Sequence, residues 1–362
     1  MASTQDARAA REAKLDELHE KLTGAVESLV SGDDWRQALA FAARFRSRSF
    51  NNTLLIWVQH QAAFDAGRVP DPFPTLVAGY RQWQGLGRQV VKGQAGYMIF
   101  APVTGRFAAT TPADAGSWRR LGPREKPKAG EVVRSRMVGA RPAYVWDASQ
   151  TDGDPLPIPP SPALLEGEAP SGLWEGLAGQ IHGAGFAVLR VPHEEMISGA
   201  NGLTDYEART VAVRENMDPA AQVKTLAHEL AHVLMHDPDD DEVRQHRGIR
   251  EVEAESVALM IGAAHGMDTT GYTIPYVSTW AARVDGQEPA HVVQATGERV
   301  RKTALAILDQ LDTPQVGDGT PPGLERDATM RPPARPTQAA TVSSLAESDR
   351  PSAVPVLAGR EL

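Results

Sequence analysis

Between Asp218 and His236 the chain reads Asp-Pro-Ala-Ala-Gln-Val-Lys-Thr-Leu-Ala-His-Glu-Leu-Ala-His-Val-Leu-Met-His, and few folds accommodate such a stretch. Asp218 suits an N-cap, and Pro219 suits the first helical position, where no backbone donor is needed. Val223, Leu226, Leu230, Val233 and Leu234 recur at three- and four-residue spacing with no Gly or further Pro between them, which predicts a largely buried helix. His228, Glu229 and His232 ride on that helix. Side chains four apart lie one turn above each other, about 6 Å apart, so both imidazoles can converge on one Zn²⁺. Glu229, rotated by one residue, is placed to reach a metal-bound water as general base.

The third ligand has to offer nitrogen or oxygen, because the chain has no cysteine. His236 lies about 12 Å along the helix axis from His228 and is expected to cap the C-terminal end instead, where its charge suits the dipole. The next predicted helix, 248–264, turns from acidic (Glu251, Glu253, Glu255) to apolar (Val257 to Ile261), as a helix entering a core does. Glu251 and Glu255 are four apart and share a face; Glu253 points elsewhere. The expectation is Glu251 as ligand and Glu255 as the acceptor that orients a histidine, although spacing alone leaves the ligand open among the three glutamates.

His228-Glu229-Leu230-Ala231-His232-Val233-Leu234-Met235-His236 followed by Glu251-Val252-Glu253-Ala254-Glu255 resembles the ImmA/IrrE and ArdC-type zinc metallopeptidases of bacteria. In that group a Glu-x-x-x-(Asn/Asp/Glu) pattern after the His-Glu-x-x-His helix supplies the third ligand, which implies Glu251. Position 255 is Glu, as in the ArdC-like members.

A chain of 362 residues is long enough for two domains with their own cores. The absence of cysteine excludes disulfides, thiolate metal sites and cysteine nucleophiles. No run approaches 18 apolar residues and the first residues lack an apolar segment, so a soluble, cytoplasmic protein with no membrane partner is expected. The net charge of −9 hides an asymmetry. Residues 1–150 carry 21 Lys+Arg against 14 Asp+Glu, and the remainder 16 against 32. A basic half joined to an acidic half points to a polyanionic partner for the first alone.

Within that basic half, Leu15, Leu18, Leu22, Val26 and Leu29 make an amphipathic helix over 8–30, and a second helix starts near Asp33 or Asp34. Arg44-Phe45-Arg46-Ser47-Arg48 alternates cations with aromatic and small residues ahead of an apolar helix at 53–61, making Arg46 and Arg48 candidate nucleic-acid contacts. Tyr80, Trp83, Arg88, Lys92 and Tyr97 surround a Gly-rich turn, where the arginine and lysine can meet phosphates and the aromatic rings can stack on bases. Residues 104–142 lack strong periodicity and are expected to include a long basic loop.

Asn51-Asn52-Thr53-Leu54-Leu55, the run from Gly79 to Gly96 and Tyr144-Val145-Trp146-Asp147-Ala148-Ser149-Gln150-Thr151 resemble the N-terminal single-stranded-DNA-binding domain of ArdC antirestriction proteins, over about residues 35–152. The family's usual Lys-Gly-Glu-Lys-Gly turn is Lys92-Gly93-Gln94-Ala95-Gly96 here, one lysine fewer.

The expected architecture is α+β: an ssDNA-binding domain over 1–152, a Pro-rich linker over 153–170, a zincin-like metallopeptidase domain over 171–312 and a disordered tail over 313–362. Predicted strands at 185–191 and 207–214 precede the histidine helix; the second, ahead of that helix, is the kind of edge on which zincins pair an extended substrate. The expected chemistry is Zn²⁺-dependent hydrolysis of a protein or peptide with Glu229 as base and Tyr272 or Tyr276 as oxyanion donor. The resemblance implies antirestriction, or protection of incoming DNA on a mobile element. Two rival readings stand beside it: an ImmA-like peptidase that cleaves a transcriptional repressor, and a non-catalytic DNA-binding protein with structural zinc.

Overall fold

The N-terminal half begins with three helices, α1 (Ala2–Glu27), α2 (Gly32–Arg44) and α3 (Phe50–Asp65), in a computed structural model that describes residues 2–29, 31–156, 167–236, 247–270, 272, 280–281 and 287–324. Leu18, Leu22 and Val26 bury the stripe that the sequence predicts for α1. Ser31 caps α2, its hydroxyl accepting from the Asp34 amide while the Asp34 carboxylate accepts from the Ser31 amide.

A four-stranded antiparallel sheet follows, ordered β1 (Val77–Gly79), β5 (Val132–Asp147), β3 (Tyr97–Ala109) and β4 (Arg119–Arg120). Helix α4 (Tyr80–Gly85) leads from β1 to β2 (Arg88–Val90), which pairs with β6 (Thr151–Gly153) in a separate ribbon. The inner ends of β3 and β5 pack on α3: Tyr97, Ile99 and Val145 join Phe41, Phe45 and Ile56 in one apolar cluster. The outer ends run on as an antiparallel ladder from Val103↔Gly139 to Ala109↔Val132, interrupted by a bulge at Val138. The segment 104–142, expected to include a long basic loop, holds one between β3 and β5 over 110–131, while its two ends are the strands of a hairpin. Its sequence lacks a clean two-residue alternation because much of it faces solvent on both sides.

In the second half, β7 (Ala187–Val191) is parallel to β9 (Thr210–Arg214), and β8 (Gly202–Asp205) is antiparallel to β9 on its other side. The edge strand beside the next helix is thus β8. The predicted strand at 207–214 is central, with Val211 and Val213 buried. Helices α5 (Leu173–Gly183) and α6 (Pro219–Met235) pack with this sheet, and α7 (Arg247–Ala264) and α8 (Pro289–Leu308) follow. Asp218 caps α6 as expected, its carboxylate accepting from the Ala221 amide at 2.8 Å.

The two halves share one core. Trp35 of α2 donates its indole N–H to Ser256 Oγ of α7 at 3.0 Å and meets Trp280 edge-on at 5.5 Å. Phe50 of α3 lies against Gly297 of α8 so closely that a Cβ there would sit 2.4 Å from the ring. The boundary expected at 153–170 is therefore not a break in packing, and most of that Pro-rich stretch, 157–166, lies outside the described residues. The start of the expected tail is also held. Val77 N–H donates to Gly319 O and Val316 N–H to Ala264 O, while 325–362 lie outside the described residues.

Candidate metal centre

Helix α6 presents His228 and His232 one turn apart, with their Nε2 atoms 3.0 Å from each other. Glu251, on the first turns of α7, brings Oε2 to 3.6 Å from His228 Nε2 and 3.7 Å from His232 Nε2. A triangle with those three sides has its corners about 2.0 Å from its centre, which matches metal–nitrogen and metal–oxygen bond lengths. Among the described residues these three form the group able to hold a metal ion.

The far nitrogens decide which lone pairs face that centre. His228 Nδ1 lies 3.3 Å from Glu255 Oε2, and Lys224 Nζ lies 2.8 Å from the other oxygen of the same carboxylate. His232 Nδ1 lies 2.9 Å from His236 Nδ1, and His236 Nε2 lies 3.0 Å from Glu253 Oε2. Arg299 of α8 donates to Glu253 Oε1 at 2.6 Å. A carboxylate accepts, so His236 carries its proton on Nε2 and offers a bare Nδ1, to which His232 donates its Nδ1–H. When both rings are neutral, their metal-facing Nε2 atoms are unprotonated, and two lone pairs 3.0 Å apart repel unless a cation lies between them. The donor set fits a divalent metal.

With no metal bound, the surrounding carboxylates favour a proton at this centre in the cation's place. Burial pulls the His228 pKa down, but the hydrogen bonds to Glu251 and Glu255 and the charge of Glu229 outweigh it and lift the group to about 9 in the absence of metal. Hydrogen bonds from His228 and His232 hold Glu251 well below the usual carboxylate range. Burial opposes ionisation of Glu255, yet His228 and Lys224 keep it below its ordinary value.

Glu229 is buried and accepts from Thr204 Oγ of β8 at 2.6 Å. The strand comes this close because residue 202 is glycine: a Cβ there would lie 2.7 Å from Glu229 Oε1 and 2.6 Å from Thr225 Cγ2. Gly202, Lys224, His228, Glu229, Glu251 and Glu255 all line one cleft of about 720 Å³. Tyr272 also lines it, but its hydroxyl donates to Ala258 O at 3.2 Å and packs against Gly262. The oxyanion role expected for it does not fit that orientation, and Tyr276 lies outside the described residues.

The structure brings together His228, Glu229, His232, Glu251 and Glu255 as the sequence predicts. Glu253 lies off the face shared by Glu251 and Glu255, as expected, and is buried against α8 and the end of α6, where it bonds to His236 and Arg299. The structure corrects one other expectation. His236 is the C-cap residue of α6 as expected, but its side chain is buried and turned back onto His232. The four-residue spacing of His228, His232 and His236 is the signal that could have revealed this.

The candidate nucleic-acid contacts fare less well. Trp83 is fully buried, its indole N–H bonded to Trp146 O at 3.0 Å, and Tyr97 is buried with its hydroxyl 2.8 Å from His60 Nδ1, so neither ring can stack on a base. Arg46 is buried and spends its guanidinium on Ala43 O and Val316 O. Arg48 donates to Val77 O, and Arg88 to Thr151 and Asp154, so these arginines brace turns. Tyr80 and Lys92 remain exposed.

A histidine pair on a helix, a glutamate from the next helix and a short mixed sheet alongside define a metallopeptidase-like fold of the zincin type, and no described helix is long and apolar enough to cross a membrane. The family described as the N-terminal domain of anti-restriction factor ArdC matches residues 10–146, and that described as the IrrE N-terminal-like domain, a peptidase family, matches residues 184–274. The chain thus carries an ArdC-type N-terminal domain followed by an IrrE-like domain of a peptidase family. No curated protein matches its sequence. Among solved structures it is similar to the antirestriction ArdC protein from plasmid R388. The metal-free form is 18% identical over 73% of this chain and 84% of that one, with a TM-score of 0.43. The Mn(II)-bound form is 18% identical over 73% and 88%, with a TM-score of 0.41.

Proposed function

We propose that this protein binds single-stranded DNA and hydrolyses peptide bonds at a zinc centre, in the service of antirestriction or of protecting incoming DNA on a mobile element. The observation that carries the reading is the convergence of His228 Nε2, His232 Nε2 and Glu251 Oε2 on one point, with His228, Glu251 and the Glu229 carboxylate lining one cleft. His228, His232 and Glu251 would hold the zinc, which supplies Lewis acidity and an acidified water when bound. Glu229 takes the proton from the attacking water and returns it to the leaving amine. Thr204, donating to one oxygen of Glu229, leaves the other to turn toward the cleft. The β8 edge, whose Leu203 is 45% exposed, offers free backbone groups to an extended peptide. The ArdC-type N-terminal domain and the surplus of 21 Lys+Arg over 14 Asp+Glu in residues 1–150 support single-stranded DNA as the second partner.

The test compares wild type with Glu229→Gln for zinc stoichiometry and for hydrolysis of an unstructured protein such as casein. One zinc per chain in both, with hydrolysis in wild type alone, is expected. Zinc in both with no hydrolysis by either would leave a structural metal and overturn the enzymatic reading.

A further inference from the structure

The outer half of the β3–β5 hairpin gathers residues that lie far apart in sequence. Cross-strand partners share a face, so Phe107, Arg120 and Arg134, which sit opposite one another on β3, β4 and β5, point the same way. Trp118 and Arg136, each two residues from a member of that set, join them. The side chains touch. The guanidinium carbons of Arg134 and Arg136 each lie 5.0 Å from the centre of the Trp118 ring, and that of Arg136 lies 5.9 Å from Phe107. Gly105 gives them room, since a Cβ there would come within 3.1 Å of Phe107 and 3.4 Å of the Arg120 Nε.

The charges on this arm are sorted. Residues 104–141 hold nine Lys+Arg and three Asp+Glu, and two of those acids, Glu125 and Glu131, are committed to Arg119. Arg119 pairs opposite Ala108, so it belongs to the other face. Among the described residues no carboxylate pairs with Arg120, Arg134 or Arg136. Aromatic rings hold the guanidinium planes in place and leave their N–H edges free, the state in which arginine grips phosphate best.

We infer that this face of the hairpin, built by Phe107, Trp118, Arg120, Arg134 and Arg136, is the surface that binds single-stranded DNA. The inference rests on the DNA-binding reading above and moves its site from the turn around Arg88 to the arm. Three free cations on a strip about 10 Å wide, three strands at about 4.8 Å, match one charged backbone. Residues two apart on β5 stand about 6.8 Å apart, a step comparable to that between phosphates of an extended strand. The interleaved rings and guanidinium planes give unpaired bases a stacking surface that a paired duplex cannot use.

The experiment titrates full-length protein against fluorescein-labelled oligothymidylate by anisotropy across a salt series. Arg120→Gln/Arg134→Gln/Arg136→Gln should weaken binding at least tenfold and shallow the salt slope by about 2, at about 0.7 per phosphate contact. Trp118→Ala should weaken it about fivefold or more with the slope nearly kept. Arg124→Gln/Lys126→Gln/Lys128→Gln, which strips the same charge from the loop joining β4 to β5, should cost markedly less. Equal losses in the two triple variants, or wild-type affinity in the arm variant, overturn the arm as the site while leaving DNA binding intact. No binding by wild type overturns both readings, and tighter binding of wild type to duplex overturns the single-strand assignment. Arg134→Lys/Arg136→Lys guards against a folding artefact: it should keep the slope and lose affinity, and unchanged metal uptake at His228, His232 and Glu251 certifies the fold of each variant.

Discussion

His236 Nδ1 lies 2.9 Å from His232 Nδ1 and bridges this metal-facing imidazole to the Glu253–Arg299 pair. That bridge fixes the tautomer of His232 from behind, as Glu255 does for His228. Supporting partners of this kind typically contribute ten- to hundredfold in metal affinity.

Glu253→Gln should therefore weaken zinc binding by about tenfold or more, since an amide can donate to His236 and release the wrong tautomer. Glu251→Gln, which removes a ligand, should abolish stoichiometric binding. Competition against a chromogenic chelator measures both. Wild-type affinity in Glu253→Gln would show that His232 keeps its tautomer unaided.

Metal removal should lower the melting temperature. A ligand at a hundred times its dissociation constant stabilises the folded chain by about 2.7 kcal/mol. Chelated wild type and zinc-supplemented Glu251→Gln should melt together, below zinc-loaded wild type. Calorimetry decides it, and three coincident melts would mean that the triad binds no metal.

Gly202→Ala should disable the base without touching the ligands. The added Cβ would meet Glu229 Oε1 and Thr225 Cγ2 well inside contact distance, so either β8 or the carboxylate must shift. Overpacking of this kind costs about 1–3 kcal/mol. The expected outcome is full zinc content with hydrolysis reduced at least tenfold; undiminished turnover would show that β8 yields instead.

His265 gives a pH dependence remote from the metal. Burial, with the nearby Arg46 charge, holds its pKa below the ordinary histidine value. Its Nδ1–H donates to Ile261 O and its Nε2 accepts from Thr313, both at 2.7 Å, which requires the neutral ring. The unfolded chain takes up a proton near pH 6.5 and the folded chain only lower, so stability should be level above that pH and fall as the medium is acidified through it. His265→Gln should flatten the drop in melting temperature between pH 7 and pH 5. Parallel profiles for the two proteins would remove His265 as the cause.

The metal-facing triad was legible because its geometry is local. Two histidines four apart on a capped, uninterrupted helix, and a helix that turns from acidic to apolar, state their faces in the sequence. The burial of Glu253 and its bond to His236 were not legible, because helical periodicity says which residues share a face, not how many faces neighbouring elements cover. Arg299 lies 46 positions away from Glu253 and on another helix. Several candidate nucleic-acid contacts proved unavailable for a related reason. Arg46, Arg48, Trp83 and Tyr97 show a basic-aromatic pattern whose bonding capacity is consumed inside the fold. Phe107, Trp118 and Arg134 become neighbours only through strand pairing.

The Trp35–Ser256 bond sits one residue beyond Glu255 in sequence. Two segments that match separate families are thus fastened to each other next to the candidate metal centre. Cutting the chain between them would uncover Trp35, Phe50 and the facing sides of α7 and α8, at about 1.5–3 kcal/mol for each large side chain returned to water. A recombinant that inherited its ArdC-type segment from one parent and its peptidase-family segment from another would carry a mismatched seam beneath the candidate metal centre, so the pair can drift apart in sequence only as fast as that seam is re-tailored.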